Sequence, residues 1–253
     1  MAGLSRTNDF MLGTATVMLG AEADLFDLGP ENSIGLVKNF TLTTDPSYTE
    51  LSQGVKNTLV HSILTQNTVR ASMEAYEYTG QNIAYALGLG GTFDKKVITS
   101  TVATPVADND TSFDVAAGDG ADFAVDDYVM IHVDTLDNFV IRKITAIATD
   151  ELTVNAPFDG VIPAGVKVSL INKIGGGSKE DQPYYSAKIA GKLANGEPVV
   201  ILIPKVRIVQ GFNFAFTSDD YANMPFEFTV YDPVNTDTHY SYFGGESFHI
   251  YRA

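Results

Sequence analysis

The chain has 253 residues, no cysteine and no tryptophan, and 31 acidic against 16 basic side chains, a formal charge of −15. The lack of cysteine excludes disulfides, thiolate metal sites and thiol nucleophiles, and the acidic balance argues against tight binding of nucleic-acid phosphate through a basic patch. The length and the 45% apolar content allow one or two domains with a core that needs no staples.

The N-terminus reads MAGLSRTND, without the basic and apolar blocks of a secretion signal. The longest apolar run, Val199–Pro204, is far short of the roughly 20 residues that span a bilayer. The expectation is a product made in the cytoplasm that does not bind membranes.

Taken in chain order, the pattern is β almost throughout. Leu36–Thr43 alternates, with Leu36, Lys38, Phe40 and Leu42 on one side and Val37, Asn39, Thr41 and Thr43 on the other. Thr43–Ser62 is long and polar, holds Asp45-Pro46 and Gln53-Gly54, and is expected to be an interaction loop. Val69–Tyr78 alternates again: Val69, Ala71, Met73 and Ala75 form an apolar face, and Arg70, Ser72, Glu74 and Tyr76 a polar one. Period two with β-branched and aromatic enrichment predicts strands.

One short helix is predicted after Tyr78. Thr79 is its N-cap, Ile83, Ala84 and Leu87 share a side, and Gly88 stands where a C-cap glycine belongs. Two turns of helix depend on packing against a sheet.

From Lys95 to Ile174 the spacing changes. A Thr/Val-rich strand at Val97–Val106 is followed by short strands at Ser112–Val115, Tyr128–Val133, Phe139–Ile147, Leu152–Asn155 and Val166–Asn172, with turn residues between. This predicts an inserted small β domain, residues 95–177, closed by the linker Gly175–Ser178. The core, residues 1–94 and 178–253, resumes with strands at Tyr185–Leu193 and Val199–Val209 flanking Asn195-Gly196, a pair suited to a type I′ hairpin turn. Pro204 marks a bulge or edge. Phe212, Phe214 and Phe216, then Phe226, Phe228 and Val230, alternate with polar neighbours and predict a Phe-rich inner layer. The fold class expected is mainly β, a sandwich or barrel-like domain with one helix and an inserted β domain.

No pattern carries catalytic chemistry. The four histidines, His61, His132, His239 and His249, lack helical ligand spacing. Asp108–Asp114 resembles the start of a calcium loop, but Phe113 stands where a glycine must turn and Asp119 where a bidentate glutamate belongs, so an Asx-rich turn is expected. Gly175–Lys179 (GGGSK) lacks phosphate-loop spacing. No nucleophile elbow occurs, and Asp126-Asp127 and Asp219-Asp220 are adjacent loop acids, not a pair facing across a cleft. The expectation is no enzyme, no metal and no cofactor.

The order of elements, together with Ala71–Gly88 (ASMEAYEYTGQNIAYALG), Asn195–Ile208 (NGEPVVILIPKVRI) and Met224–Asp232 (MPFEFTVYD), resembles the major tail-tube protein family of long-tailed bacteriophages. The resemblance covers most of residues 1–94 and 178–253. It implies a virion protein whose subunits form hexameric rings, with inner sheets joined into a continuous barrel and rings stacked into a tube through which DNA passes. It implies partners of three kinds: further copies of the chain, other tail proteins (tape measure, tail tip, terminator), and DNA in transit without sequence recognition. The inserted domain should then project outward, Thr43–Ser62 should bridge rings, and Glu74 and Glu227 are candidates for charge lining an acidic channel. Two alternatives stand beside this reading: another virion ring or decoration protein, and a carbohydrate-binding β-sandwich module. The second would call for exposed aromatic platforms, commonly with tryptophan, which is absent.

Overall fold

The computed structural model describes residues 15–53, 58–89, 97–133, 138–177, 181–210, 212–213 and 222–252. The elements in order are β1 (Thr16–Ala21), β2 (Val37–Gln53), β3 (Thr58–Ala75), α1 (Gly80–Ala86), β4 (Thr99–Thr101), β5 (Ser112–Asp114), β6 (Tyr128–His132), β7 (Phe139–Ala148) and β8 (Glu151–Val154). They continue with β9 (Lys167–Ile171), β10 (Tyr185–Lys192), β11 (Pro198–Gln210), β12 (Met224–Val230), α2 (Tyr240–Phe243) and β13 (His249–Arg252). The fold is mainly β and sandwich- or barrel-like. It divides into a core unit, Met1–Thr92 with Gly176–Ala253, and an inserted unit, Phe93–Gly175.

The core unit is one antiparallel sheet in the order β1-β10-β11-β12-β3-β2, with β13 added alongside the first half of β11. Alternation decides which side is buried. Val69, Ala71, Met73 and Ala75 of β3 lie opposite Val230, Phe228, Phe226 and Met224 of β12, and all eight are buried. The rings of Phe226 and Phe228 stack at 5.9 Å. Phe212 is exposed and outside any strand, while Phe214 and Phe216 lie outside the described residues.

The alternation expected for Leu36–Thr43 fails at one point. A register shift between Lys38 and Thr41 puts Asn39 at φ 54°. This bulge reverses the parity of the strand. Val37 faces the core before it, and Phe40 and Leu42 pack against the core after it.

Helix α1 closes the buried side. Thr79 caps it, its side chain accepting a hydrogen bond from the Asn82 backbone N–H at 3.1 Å. Gly88 follows in the left-handed region at φ 69°. Three buried polar groups fix the helix to the sheet. Asn82 Nδ2 donates to the Ile34 and Glu77 carbonyls at 2.9 and 2.7 Å. The Tyr85 hydroxyl donates to the Leu19 carbonyl, and the Tyr185 hydroxyl to the Leu89 carbonyl. Burial holds the Tyr185 hydroxyl neutral and pushes its pKa up to about 12.

Strand β11 forks. Val199–Leu202 pairs with β13 and Val206–Gln210 with β12. Pro204, which has no N–H to give, stands between the two pairings, where the β10–β11 register also shifts. Over the far side of this fork, Leu202 packs with Leu25, Leu28 and Phe243 of α2. The C-terminal segment is tied down by His239, hydrogen-bonded to the Glu22 carbonyl at 2.8 Å, and by a Lys205–Asp237 ion pair at 2.7 Å whose side chains are 12% and 13% exposed. Burial opposes both charges. The mutual hydrogen bond and the charge attraction together outweigh it, helped by Glu22 at Lys205 and by the Val234 N–H at Asp237, so Lys205 is raised and Asp237 lowered from their ordinary values.

The inserted unit is a six-stranded sheet in the order β4-β9-β6-β7-β8-β5. Its ends meet. Val102 bridges Val115, with Ala103 N–H donating to the Asp114 carbonyl at 2.8 Å and Ala116 N–H to the Thr101 carbonyl at 3.0 Å. The sheet thus closes into a small barrel around Phe113, Ile131, Ile144, Leu152, Phe158 and Val168. Closure pairs backbone groups that an open sheet leaves at its edges.

Candidate assembly interface

The segment expected to be a loop, Thr43–Ser62, is instead strand over most of its length. It forms the outer half of a β2–β3 hairpin in which Asp45 pairs with Thr68, Tyr48 with Leu64 and Gln53 with Thr58. Among the described residues, only 69–75 of β3 pair with β12. The rest of the hairpin is therefore a two-stranded ribbon, about 35 Å long at about 3.3 Å per residue. Two register shifts, at Ser47/Tyr48 and Leu51/Ser52, break its alternation. The sequence hid this arm for that reason. With both faces open and the parity reset twice, no period-two burial pattern survives, and Asp45-Pro46 reads as a turn.

The arm's side chains are anomalous for an exposed ribbon. Tyr48, Leu51, Leu59, Val60, Ile63 and Leu64 each leave half or more of their surface uncovered. The register puts Tyr48, Leu64 and Leu59 on one face, Leu51 and Ile63 on the other, and Val60 in the bulge. A contiguous apolar surface of this kind marks a place where something else packs, and an isolated two-stranded hairpin is at best marginal in water. His61 sits exposed on the Leu51 face.

The sheet that carries the arm also has an open edge. Among the described strands, β2 pairs only with β3, and β1 only with β10. The outer edge of β2 presents backbone donors and acceptors in a row, ready to pair with another chain, whereas the outer edge of β1 is partly covered, Met18 bridging Ser33 and the Ile34 N–H donating to the Val17 carbonyl at 3.0 Å.

Glu74 and Glu227 lie on the outward face of this sheet, on neighbouring strands. Glu227 is opposite Ser72, and Glu74 is opposite Pro225 on one side and Lys38 on the other. The Asn39 side chain, turned by the bulge, and the Tyr76 hydroxyl at 3.0 Å both donate to the Glu74 carboxylate and lower its pKa. The face is not uniformly acidic. Asp45, Glu74 and Glu227 are matched by Lys38, Arg70 and Arg207. The Lys205 and Arg207 cations lie 4.5 and 4.4 Å from the Tyr184 ring centre. A groove of about 660 Å³ crosses the face between Thr43, Arg70, Glu227 and Thr229. It offers hydroxyls and mixed charge.

The remaining candidates have structural roles. Asn195-Gly196 is a hairpin turn of a different type from that expected. Gly196 takes φ 89°, Asn195 is not among the residues at positive φ, and the Leu193 and Glu197 backbones pair across a three-residue loop. This is a type I turn with a glycine bulge, to which the right-handed backbone at Asn195 is suited. The Asn195 side chain accepts from the Glu197 N–H at 3.0 Å. In the Asp108–Asp114 segment, the Asp110 carboxylate accepts from Ala107 N–H and the Asp108 carboxylate from Gly160 N–H, both as turn caps. His249 bridges Glu246 and the Tyr251 hydroxyl, at 2.8 and 2.9 Å. Among the described residues no three His, Asp or Glu side chains group as metal ligands, and no helix is long and apolar enough to cross a membrane.

No family model and no curated protein matches the chain.

Proposed function

We propose that the chain is a structural subunit, not an enzyme, that polymerises into a hollow tube, as the resemblance to phage tail-tube proteins implies. One observation carries the reading: a sheet with an open edge at β2 bears an unsupported ribbon whose apolar side chains stand half or more exposed in a single copy. Edge-to-edge pairing of the core sheets closes a ring. The arm then covers its apolar side chains on the adjacent ring. On this reading the product resides in the virion tail, its partners are further copies, the tape measure, tail tip and terminator, and DNA passes through the lumen. The inserted unit points outward, since inward it would block the channel.

If the face bearing Glu74 and Glu227 lines the lumen, its charge is balanced, and weak adhesion to DNA comes from that balance and not from net repulsion. The test is negative-stain electron microscopy of the purified chain with sizing chromatography. Rings, or tubes with a regular axial repeat, are expected. A strict monomer at high concentration, still monomeric after seeding with tail-initiation complexes, overturns the proposal.

A further inference from the structure

The inserted unit carries its charge asymmetrically. Residues 95–174 hold 12 acidic and 6 basic side chains, yet one wall of the barrel is free of acids at its outward strand positions. Across β9, β6 and β7, Tyr128 lies between Ile171 and Lys143, Met130 beside Ile141, and His132 beside Phe139. Phe139 and Ile141 are about half exposed. Lys143 is held by Asp126 at 2.5 Å, and Lys173 reaches over the Tyr128 ring. Lys167, on the same side of β9, is exposed.

The rest of the barrel, β8, β5 and β4, has the reverse character. Asp114 of β5 and Glu151 of β8 stand directly opposite each other in the ladder. Like charges at such a position are destabilising. Among the described residues no cation answers them: Asp114 accepts a hydrogen bond from the Thr104 hydroxyl, and Glu151 is exposed. Asp150 is the next residue, its carboxylate already accepting from Gly118 and Gly120 N–H.

We infer that the inserted units of neighbouring copies bind head to tail, the Lys167/Lys173 wall of one against the Asp114/Glu151 wall of the next. This deepens the self-assembly reading above and rests on it for the presence of neighbours. Three features favour this occupant. The two walls are complementary in charge and stand on different strands, the acids on β5 and β8 and the lysines on and just after β9, so the contact can run in one direction from copy to copy. The patch between the lysines is aliphatic as well as aromatic, through Met130, Ile141 and Ile171, as protein contacts are. And the opposed pair Asp114/Glu151 gains the cations it lacks within its own chain.

The chain has no cysteine, so a pair introduced at Ile141→Cys and Glu151→Cys in the full-length protein reports only this contact. On neighbouring strands Glu151 pairs with Ala148, so Ile141 lies about 20 Å further along at about 3.3 Å per residue and the two cannot join within one barrel. Oxidation of the assembled protein is expected to give a ladder of covalent multimers. Adding Lys167→Glu and Lys173→Glu should reduce the ladder about tenfold, because like charge then meets like across the contact. Adding Asp114→Lys with an Asp150→Asn control, in place of the lysine changes, should reduce it similarly, and combining the lysine reversals with Asp114→Lys should restore it. Rings or tubes by microscopy with no ladder overturn the inference and leave the tube reading standing. A ladder without rings or tubes supports the contact and counts against the tube. Absence of the ladder, with retention on an anionic polysaccharide column that the lysine reversals abolish, also overturns it and makes the wall a polyanion site.

Discussion

Truncating the arm should separate assembly from folding. Leu51 and Ile63 share one face of the ribbon and are 62% and 57% exposed. Burying a whole Leu or Ile side chain contributes about 1.5–3 kcal/mol, so covering the exposed part of each is worth about 1 kcal/mol beyond what alanine recovers. Leu51→Ala with Ile63→Ala therefore removes about 2 kcal/mol per arm contact, a factor of about 30 in its equilibrium constant. The same side chains touch little in the single copy, so its stability should move by less than about 0.5 kcal/mol. The assay is the protein concentration at which light scattering and sedimentation first show polymer, beside a urea melt of the dilute chain. A roughly 30-fold or larger rise in that concentration with an unmoved melt is expected. Polymer at the unmodified concentration would refute the argument, because the arm would then bury nothing. A shifted melt would refute it differently, by showing the two side chains to be part of the core. The companion variant Tyr48→Ala with Leu64→Ala reads the other face of the ribbon.

Three further outcomes follow from particular contacts. Asp237→Asn should cost about 1–2 kcal/mol, since Lys205 loses a mostly buried partner while some solvent still reaches it. Because the Asp237 carboxyl titrates below its ordinary 3.8 in the folded chain, its contribution is complete above that value and fades as the pH falls through the lower folded one; urea melts at pH 3 and pH 6 should show the variant and the parent converging in acid. Asn82→Ala removes a buried amide that satisfies the Ile34 and Glu77 carbonyls, and should destabilise the core unit by about 2–3 kcal/mol by denaturant titration. Gly120→Ala would place a methyl 1.9 Å from the Thr149 carbonyl oxygen; the backbone must shift, costing about 3 kcal/mol, and calorimetry should show it in the transition of the inserted unit and not of the core.

What the sequence disclosed follows from where one face is buried and the other wet. The β3 alternation at Val69–Ala75, the Phe226/Phe228 face, the Thr79 cap, the Pro204 interruption and the short strands of the inserted unit all have that asymmetry, and each was legible. Three features escaped because their cause is not local. The bulge at Asn39 inverts the strand's sides without leaving a glycine to announce it. The arm has no buried side at all, so its β-branched and aliphatic residues at Thr58–Leu64 were the only signal, and the polar residues around Asp45-Pro46 masked it. The Asn195-Gly196 pair fits two turn types, and the three-residue spacing between Leu193 and Glu197 selects the one with a bulge. For Glu74 and Glu227, sequence placed them on a polar face, but the strand neighbours that neutralise that face come from β2 and β11.

The unsupported ribbon also has a kinetic meaning. Holding a ribbon of that length in order costs conformational entropy that a lone copy recovers poorly. A copy arriving at an existing end finds a surface already in place and recovers that cost at once, whereas two free copies must order both ribbons before either gains. In the proposed tube, growth is then favoured over starting afresh, and a pool of subunits at modest concentration is expected to wait, with a lag that a preformed end abolishes.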